Sequence, residues 1–192
     1  GSHLGKIIRI HPDGRIPANN PFVNQPGALP EIFSFGHRNL QGLAIHPDTG
    51  KLFSHEHGPQ GGDELNLVQA GQNYGWPVVT FGQEYGSGAA IGEGVSRPDM
   101  TDPLYVWVPS IAPSGLAILG ASSQHPWASS LLIGGLRARC LVRLMPQATA
   151  GFTERRYALP ESPRIRDVRI GLSGRILVLT DEPAGGLFEV VV

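Results

Sequence analysis

One phrase constrains the fold more than any other: an apolar segment, a tight turn and a second apolar segment. It runs through Gly42-Leu-Ala-Ile-His-Pro-Asp-Thr-Gly-Lys-Leu-Phe-Ser54 and returns as Asp167-Val-Arg-Ile-Gly-Leu-Ser-Gly-Arg-Ile-Leu-Val-Leu179. A looser copy joins Gly115-Leu-Ala-Ile-Leu119 to Ser130-Leu-Leu-Ile-Gly134. Gly5–Ile10, Leu141–Leu144 and Gly186–Val192 each read as a late strand of such a unit. Short runs with period-two alternation between Gly, Pro, Asp and Ser turns argue for β-strands. No stretch shows convincing helical periodicity, and Leu65–Ala70 is too short to decide.

The copies start near Leu43, Leu116 and Val168. Spacings of roughly 50 to 70 residues are a little beyond those of typical propeller blades. The sequence therefore predicts an all-β chain built as a β-propeller, of about three blades. A sandwich is the alternative, disfavoured by the blade-like repeat. The first gap carries an extra segment, residues 71–109, expected to be an extended surface loop. The chain opens on a late strand and closes on a unit that lacks its last one. Propellers close with at least four blades, so the sequence reads as a piece of one.

Composition narrows the function classes. Gly (26) and Pro (17) make up more than a fifth of the 192 residues, while charged residues are only 16 %. That balance suits short strands joined by tight turns. Net charge is −1 and basic residues are scattered, apart from Arg137, Arg139 and Arg143. This excludes a nucleic-acid footprint and a polybasic membrane patch. No apolar run approaches the length of a membrane span. The single Cys140 cannot form an intramolecular disulfide and is expected to be a small buried residue. Gly1-Ser2-His3 reads as an expression-tag scar, which leaves 4–192 as one domain.

Three distant segments offer chemistry: Gly36-His37-Arg38-Asn39-Leu40-Gln41-Gly42, His55–Glu64, and Arg164-Ile165-Arg166-Asp167-Val168. Arg164 and Arg166 sit two residues apart, on one face of a strand. Two such charges side by side call for an anion or an open solvent face. Asp167 falls on the opposite face. His55 and His57 also share a face and form a pair a transition metal can use, but no third ligand stands at motif spacing. The Gly58-Pro59 carbonyls, followed by Asp63 and Glu64, suit calcium better. Guanidiniums, amides and free carbonyls together suit a planar, multiply carboxylated anion held with a hard cation.

The strings Gly-x-Arg-Asn-x-Gln-Gly, Glu-His-Gly-Pro-x-Gly-Gly-Asp-Glu, Asn-Tyr-Gly-Trp-Pro and Arg-x-Arg-Asp-Val occur in one order from about Leu4 to the end. In that order they resemble the PQQ-dependent aldose sugar dehydrogenases, the glucose/sorbosone dehydrogenase family. The resemblance implies a six-bladed propeller carrying PQQ and calcium on one face, of which this chain is the C-terminal half. It assigns Gly58 and Pro59 to calcium through their carbonyls. It assigns Arg38, Asn39, His57, Ser110, Arg137, Arg164 and Arg166 to the cofactor, and Trp107 to the wall for an aldose substrate. Gln41 and Asp63 match motif positions in supporting roles. His37 and Leu40 are departures within the first motif, and Arg137 stands where the family often has Lys.

The implied reaction is hydride transfer from the sugar C1 to PQQ, with Arg38 polarising the quinone and a histidine as general base. That histidine matches no position here; neither His46 nor His125 lies in a matching motif. The isolated chain is therefore expected to be inactive. It would be completed by the missing N-terminal half or by a second copy of itself, in a periplasmic or secreted setting. Two rival readings are a non-enzymatic propeller fragment that self-associates or binds a partner, and a calcium-assisted hydrolase of another six-bladed group.

Overall fold

The computed structural model describes residues Gly1–Val192 as strands, turns and loops, without a helix. The strands are β1 (Lys6–Ile8), β2 (Ile32–Phe35), β3 (Leu40–Ile45), β4 (Leu52–Glu56), β5 (Asp63–Val68) and β6 (Tyr105–Trp107), followed by β7 (Pro113–Leu119) and β8 (Ser130–Gly135). Then come β9 (Cys140–Pro146), β10 (Phe152–Tyr157), β11 (Ile165–Ile170), β12 (Ile176–Thr180) and β13 (Leu187–Val190). They form four antiparallel sheets: β1-β2, β3-β4-β5-β6, β7-β8-β9-β10 and β11-β12-β13. Each meanders in sequence order, and β7 packs against both β3 and β11. This is the arrangement of successive propeller blades whose first strands are innermost.

The repeated phrase folds as its alternation requires, with β3-β4, β7-β8 and β11-β12 as the hairpins. The middle blade is apolar without alternation because both its faces are buried. Leu116, Ile118, Leu131, Ile133, Val142 and Leu144 pack toward Phe53, Leu65 and Trp107 of the preceding blade. Their neighbours Ala117, Leu119, Leu132 and Leu141 face Ile165, Val168, Ile176 and Val178 of the following blade. Each fully buried aliphatic side chain contributes roughly 1.5–3 kcal/mol, so these two seams hold the blades together. Cys140 is buried in the first seam, and burial pushes its thiol pKa up.

The segment 71–109 differs from the expected surface loop in two places. Its end forms β6, which pairs with β5 and completes the four-stranded blade. Its start is anchored inward: Tyr74 is buried and donates its hydroxyl to Leu67 O at 2.6 Å while accepting from Gln69 N. The undecided run Leu65–Ala70 lies mostly in β5. No helix is long and apolar enough to cross a membrane.

Strand direction fixes where the chemistry lies. The loops entering β3, β7 and β11, and those leaving β4, β8 and β12, all emerge at one end of the blades. The turns inside the β3-β4, β7-β8 and β11-β12 hairpins emerge at the other.

Candidate functional site

Every residue singled out for chemistry lies on loops of the first end or at the strand termini beside them. Arg38 and Asn39 enter β3; His57, Gly58 and Pro59 leave β4; Ser110 enters β7; Arg137 lies between β8 and β9; Arg164 and Arg166 enter β11. His46 and His125 sit at the opposite end, in the β3-β4 and β7-β8 turns.

Asp63 ties the first of these loops together. Its buried carboxylate accepts from Gly58 N at 3.1 Å, Ser110 Oγ at 2.5 Å and Ala112 N at 2.9 Å. Ala112 has φ 50°, a left-handed conformation costly for a residue with a side chain, and the Asp63 bond helps hold it there. The relay continues outward, because Leu136 N donates to Ala112 O, and Arg137 N and Ala138 N donate to Ile111 O. Two successive blades thus share one hydrogen-bonded surface. Ser110 is oriented by Asp63, and Arg137 is exposed on the adjoining turn.

His55 and His57 form a ladder between blades. The His57 Nε2–H donates to Pro113 O at 2.7 Å, and the His55 Nε2–H donates to Gly115 O at 3.3 Å. Two histidines two residues apart on β4 and the start of its loop thereby meet two carbonyls two residues apart on β7. This pairing explains their spacing without a transition metal. Burial holds His55 well below the usual histidine range, at about 4.

Arg38 is half-buried. Its Nη1 donates to His57 O at 3.1 Å, its guanidinium lies over the Trp76 ring at 5.1 Å, and its Nε is buried with no partner. Behind it runs a buried chain: Ser34 Oγ to His37 Nε2 at 2.9 Å, and His37 Nδ1–H to Glu56 Oε2 at 3.1 Å. A small cavity between Arg38, His57, Gly58 and Trp76 is also lined by Glu56 and Glu64. Glu64 makes only a 3.4 Å contact with the Asn66 amide. Burial, and then the neighbouring Glu56, pushes it up to about 8.

The Gly58-Pro59 turn leaves no room for a side chain. A Cβ on Gly58 would meet the carbonyl oxygens of Gly61 and Gly62. Pro59 O accepts from Tyr85 Oη at 3.0 Å, and the Pro59 ring packs on Gly82. Tyr85 is exposed beside the turn; it was hidden in a Gly-rich stretch with no periodic pattern to single it out.

Two sequence expectations are corrected here. Trp107 is no wall: it is 2 % exposed, belongs to the core and donates its indole N–H to Glu154 at 2.6 Å. The outward side chain is that of the next residue, Val108, which is 67 % exposed and faces Gly61. The arginine pair of β11 also has a partner that sequence spacing missed. Asp181 accepts from Arg164 Nη2 at 2.8 Å and Arg166 Nη2 at 3.0 Å, which holds its carboxyl below the usual range. Glu182 takes Arg139 Nη2 at 2.9 Å and Arg164 N at 3.1 Å. Arg137, Arg139, Arg164 and Arg166 lie on these loops or the strand termini beside them, together with the carboxylates of Glu161, Asp181 and Glu182.

An all-β propeller arc with backbone carbonyls, a buried acid and a set of guanidiniums at one end defines a class, and sequence comparison names it. The description "Glucose / Sorbosone dehydrogenase" matches residues 1–189, and the chain belongs to that family. It is similar to the aldose sugar dehydrogenase YliI of Escherichia coli, 40 % identical over 97 % of this chain and 50 % of that protein. A solved glucose dehydrogenase is 41 % identical with a TM-score of 0.91, over 98 % of this chain and 55 % of that one. The PQQ-bound form of aldose sugar dehydrogenase from Streptomyces coelicolor is 32 % identical with a TM-score of 0.72, over 96 % and 51 %. The chain spans about half the length of these relatives.

Proposed function

We propose that this chain is the C-terminal half of a quinoprotein that oxidises aldose sugars at C1, and that its loop-bearing end holds PQQ with calcium. The observation that carries the reading is the Asp63 relay. It joins the Gly58 turn, Ser110 and the Arg137 turn into one rigid surface. Four further arginines, Arg137, Arg139, Arg164 and Arg166, and an unpartnered Arg38 Nε lie on that end.

The donor set fits both groups. Gly58 and Pro59 would offer carbonyl oxygens to calcium, with the Tyr85 hydroxyl already resting on Pro59 O. Of the two acids beside that turn, Asp63 is spent on backbone donors, whereas Glu64 is a buried carboxylate that a hard cation would relieve. Arg137, Arg164 and Arg166 would take carboxylates of the cofactor, and Asn39, His57 and Ser110 would supply further polar contacts.

PQQ, when bound, supplies the two-electron acceptor for the sugar C1–H. The protein's part is positioning. Arg38 would present positive charge to the bound cofactor, and Val108 and Tyr85 offer apolar surface beside the Gly58-Pro59 turn. His57 spends its Nε2 proton on Pro113 O, and the other histidines of the β3–β8 turns face the far end. The chain alone is therefore read as binding-competent but without the base for the C1 hydroxyl. Completion by the N-terminal half, in a periplasmic or secreted setting, belongs to the same reading.

The test is a titration of the chain with PQQ in calcium, followed by the quinone absorbance and repeated after chelation. A saturable, chelator-sensitive change is expected. No change at any calcium concentration overturns the proposal in favour of a non-enzymatic fragment, and lactone hydrolysis without PQQ overturns it in favour of a hydrolase.

A further inference from the structure

The run Asn73-Tyr74-Gly75-Trp76-Pro77 has no assigned task, yet it is laid directly along the segment that carries Arg38. Tyr74 N donates to Phe35 O and Trp76 N donates to Gly36 O, both at 2.8 Å. Phe35 and Asn73 form a parallel bridge. The approach is so close that a Cβ on Gly36, whose φ is 75°, would overlap Asn73 Oδ1 and the backbone nitrogens of Tyr74 and Gly75. Two aromatic rings then come down on two successive side chains. Tyr74 stacks on His37 with centroids 4.5 Å apart, and Trp76 covers the Arg38 guanidinium at 5.1 Å.

We propose that this run is a brace and that Trp76 is a positioning residue, which fixes the Arg38 guanidinium in the orientation the cofactor site uses. Arg38 is held from two directions only: its Nη1 edge by His57 O and its face by Trp76. Nothing grips its Nε, which is buried without a partner. Without the indole, one hydrogen bond at the tip of a long side chain would remain. That is too little to hold a rotamer-rich arginine still. A guanidinium suits this task better than an ammonium, because its flat face stacks while its edge stays free to donate.

The inference rests on the proposed function for its consequence but not for its geometry, so its experiment has two arms. The first needs no ligand. In ¹⁵N-labelled protein, the Arg38 Nε–H resonance, assigned by its loss in Arg38→Lys, should exchange slowly with solvent. Trp76→Leu should speed that exchange by on the order of fivefold to tenfold, the range spanned by a partly desolvated cation–π contact. Trp76→Phe, with a smaller ring, should restore much of the protection. The second arm is PQQ titration, in which Trp76→Leu should bind several-fold more weakly and Trp76→Phe close to wild type. Equal Nε–H exchange in wild type and Trp76→Leu overturns the brace. If Trp76→Leu does not fold, Trp76→Phe decides through a two- to threefold faster exchange, and an unchanged rate overturns the proposal. Wild-type protein that shows a protected Nε–H but binds no PQQ removes the cofactor reading and leaves the brace standing.

Discussion

Acid should loosen this protein through His55 in a defined window. The ring is fully buried between β4 and β7, donates Nε2–H to Gly115 O and leaves Nδ1 without a partner, so there is no room to solvate an imidazolium. Burial is the main cause that lowers its pKa from 6.5 to about 4, with the neighbouring His57 adding to it. Below pH 6.5 the unfolded chain takes up this proton and the folded chain does not. Stability from this group is complete above pH 6.5, falls as the pH drops toward 4, and falls no further below that. A lowering of about 2.5 units at about 1.36 kcal/mol each gives a loss of roughly 3 kcal/mol across the window. His55→Gln keeps a donor for Gly115 O and removes the titration. Urea unfolding of both proteins at pH 7, 6, 5 and 4 should show a stability difference that shrinks by roughly 3 kcal/mol in favour of the variant. Carboxylates that titrate in the same range cancel in that difference. Parallel stability curves for the two proteins would refute the reasoning.

Further outcomes follow from the site. Arg166→Ala should weaken PQQ binding by about 1.5–3 kcal/mol, as the loss of a charge-assisted contact does, while Arg143→Ala, whose guanidinium lies over Trp127, should leave the titration unchanged. Asp63→Asn should lower the unfolding free energy by about 3 kcal/mol in urea melts, because three donors lose a charged acceptor. Glu64→Gln should stabilise the calcium-free protein, with a gain that grows from pH 4.5 toward 8 because the unfolded chain releases a proton that the folded wild-type carboxyl must keep, and added calcium should shrink that gain in thermal melts. Trp107→Phe should cost stability through the lost Glu154 bond yet leave ligand titrations alone, since the side chain reaches no surface.

The hairpins at Gly42–Ser54, Gly115–Gly134 and Asp167–Leu179 were legible because one face of each strand meets a neighbouring blade, which writes burial into the sequence as period two or as a solid apolar run. Other strands carried too little of that signal. β6 is three residues long and follows a long segment without a repeat. β10 presents Glu154, Arg155 and Arg156 in succession and pairs only with β9. β2 becomes a strand through its pairing with β1 across an intervening loop. In the site, Gly-Pro, Arg-x-Arg and His-x-His could be read as strings because their spacing is local. Their partners could not: Asp181 meets Arg166 across a hairpin, Asp63 meets Ser110 at the far end of a long segment, and His57 meets Pro113 across a blade seam. The burial of Trp107 is not written in its local string, since the chain turns between Trp107, paired with Asp63, and the outward Val108.

The most direct measurement is a crystal structure of this chain soaked with PQQ and calcium at concentrations that saturate the absorbance change. The account predicts PQQ on the loop-bearing end, with a carboxylate beside Arg164 or Arg166 and Arg38 against the quinone. It also predicts an anomalous calcium peak about 2.3–2.6 Å from the Gly58 and Pro59 carbonyl oxygens. PQQ bound on another face, or a calcium peak away from that turn, would contradict it.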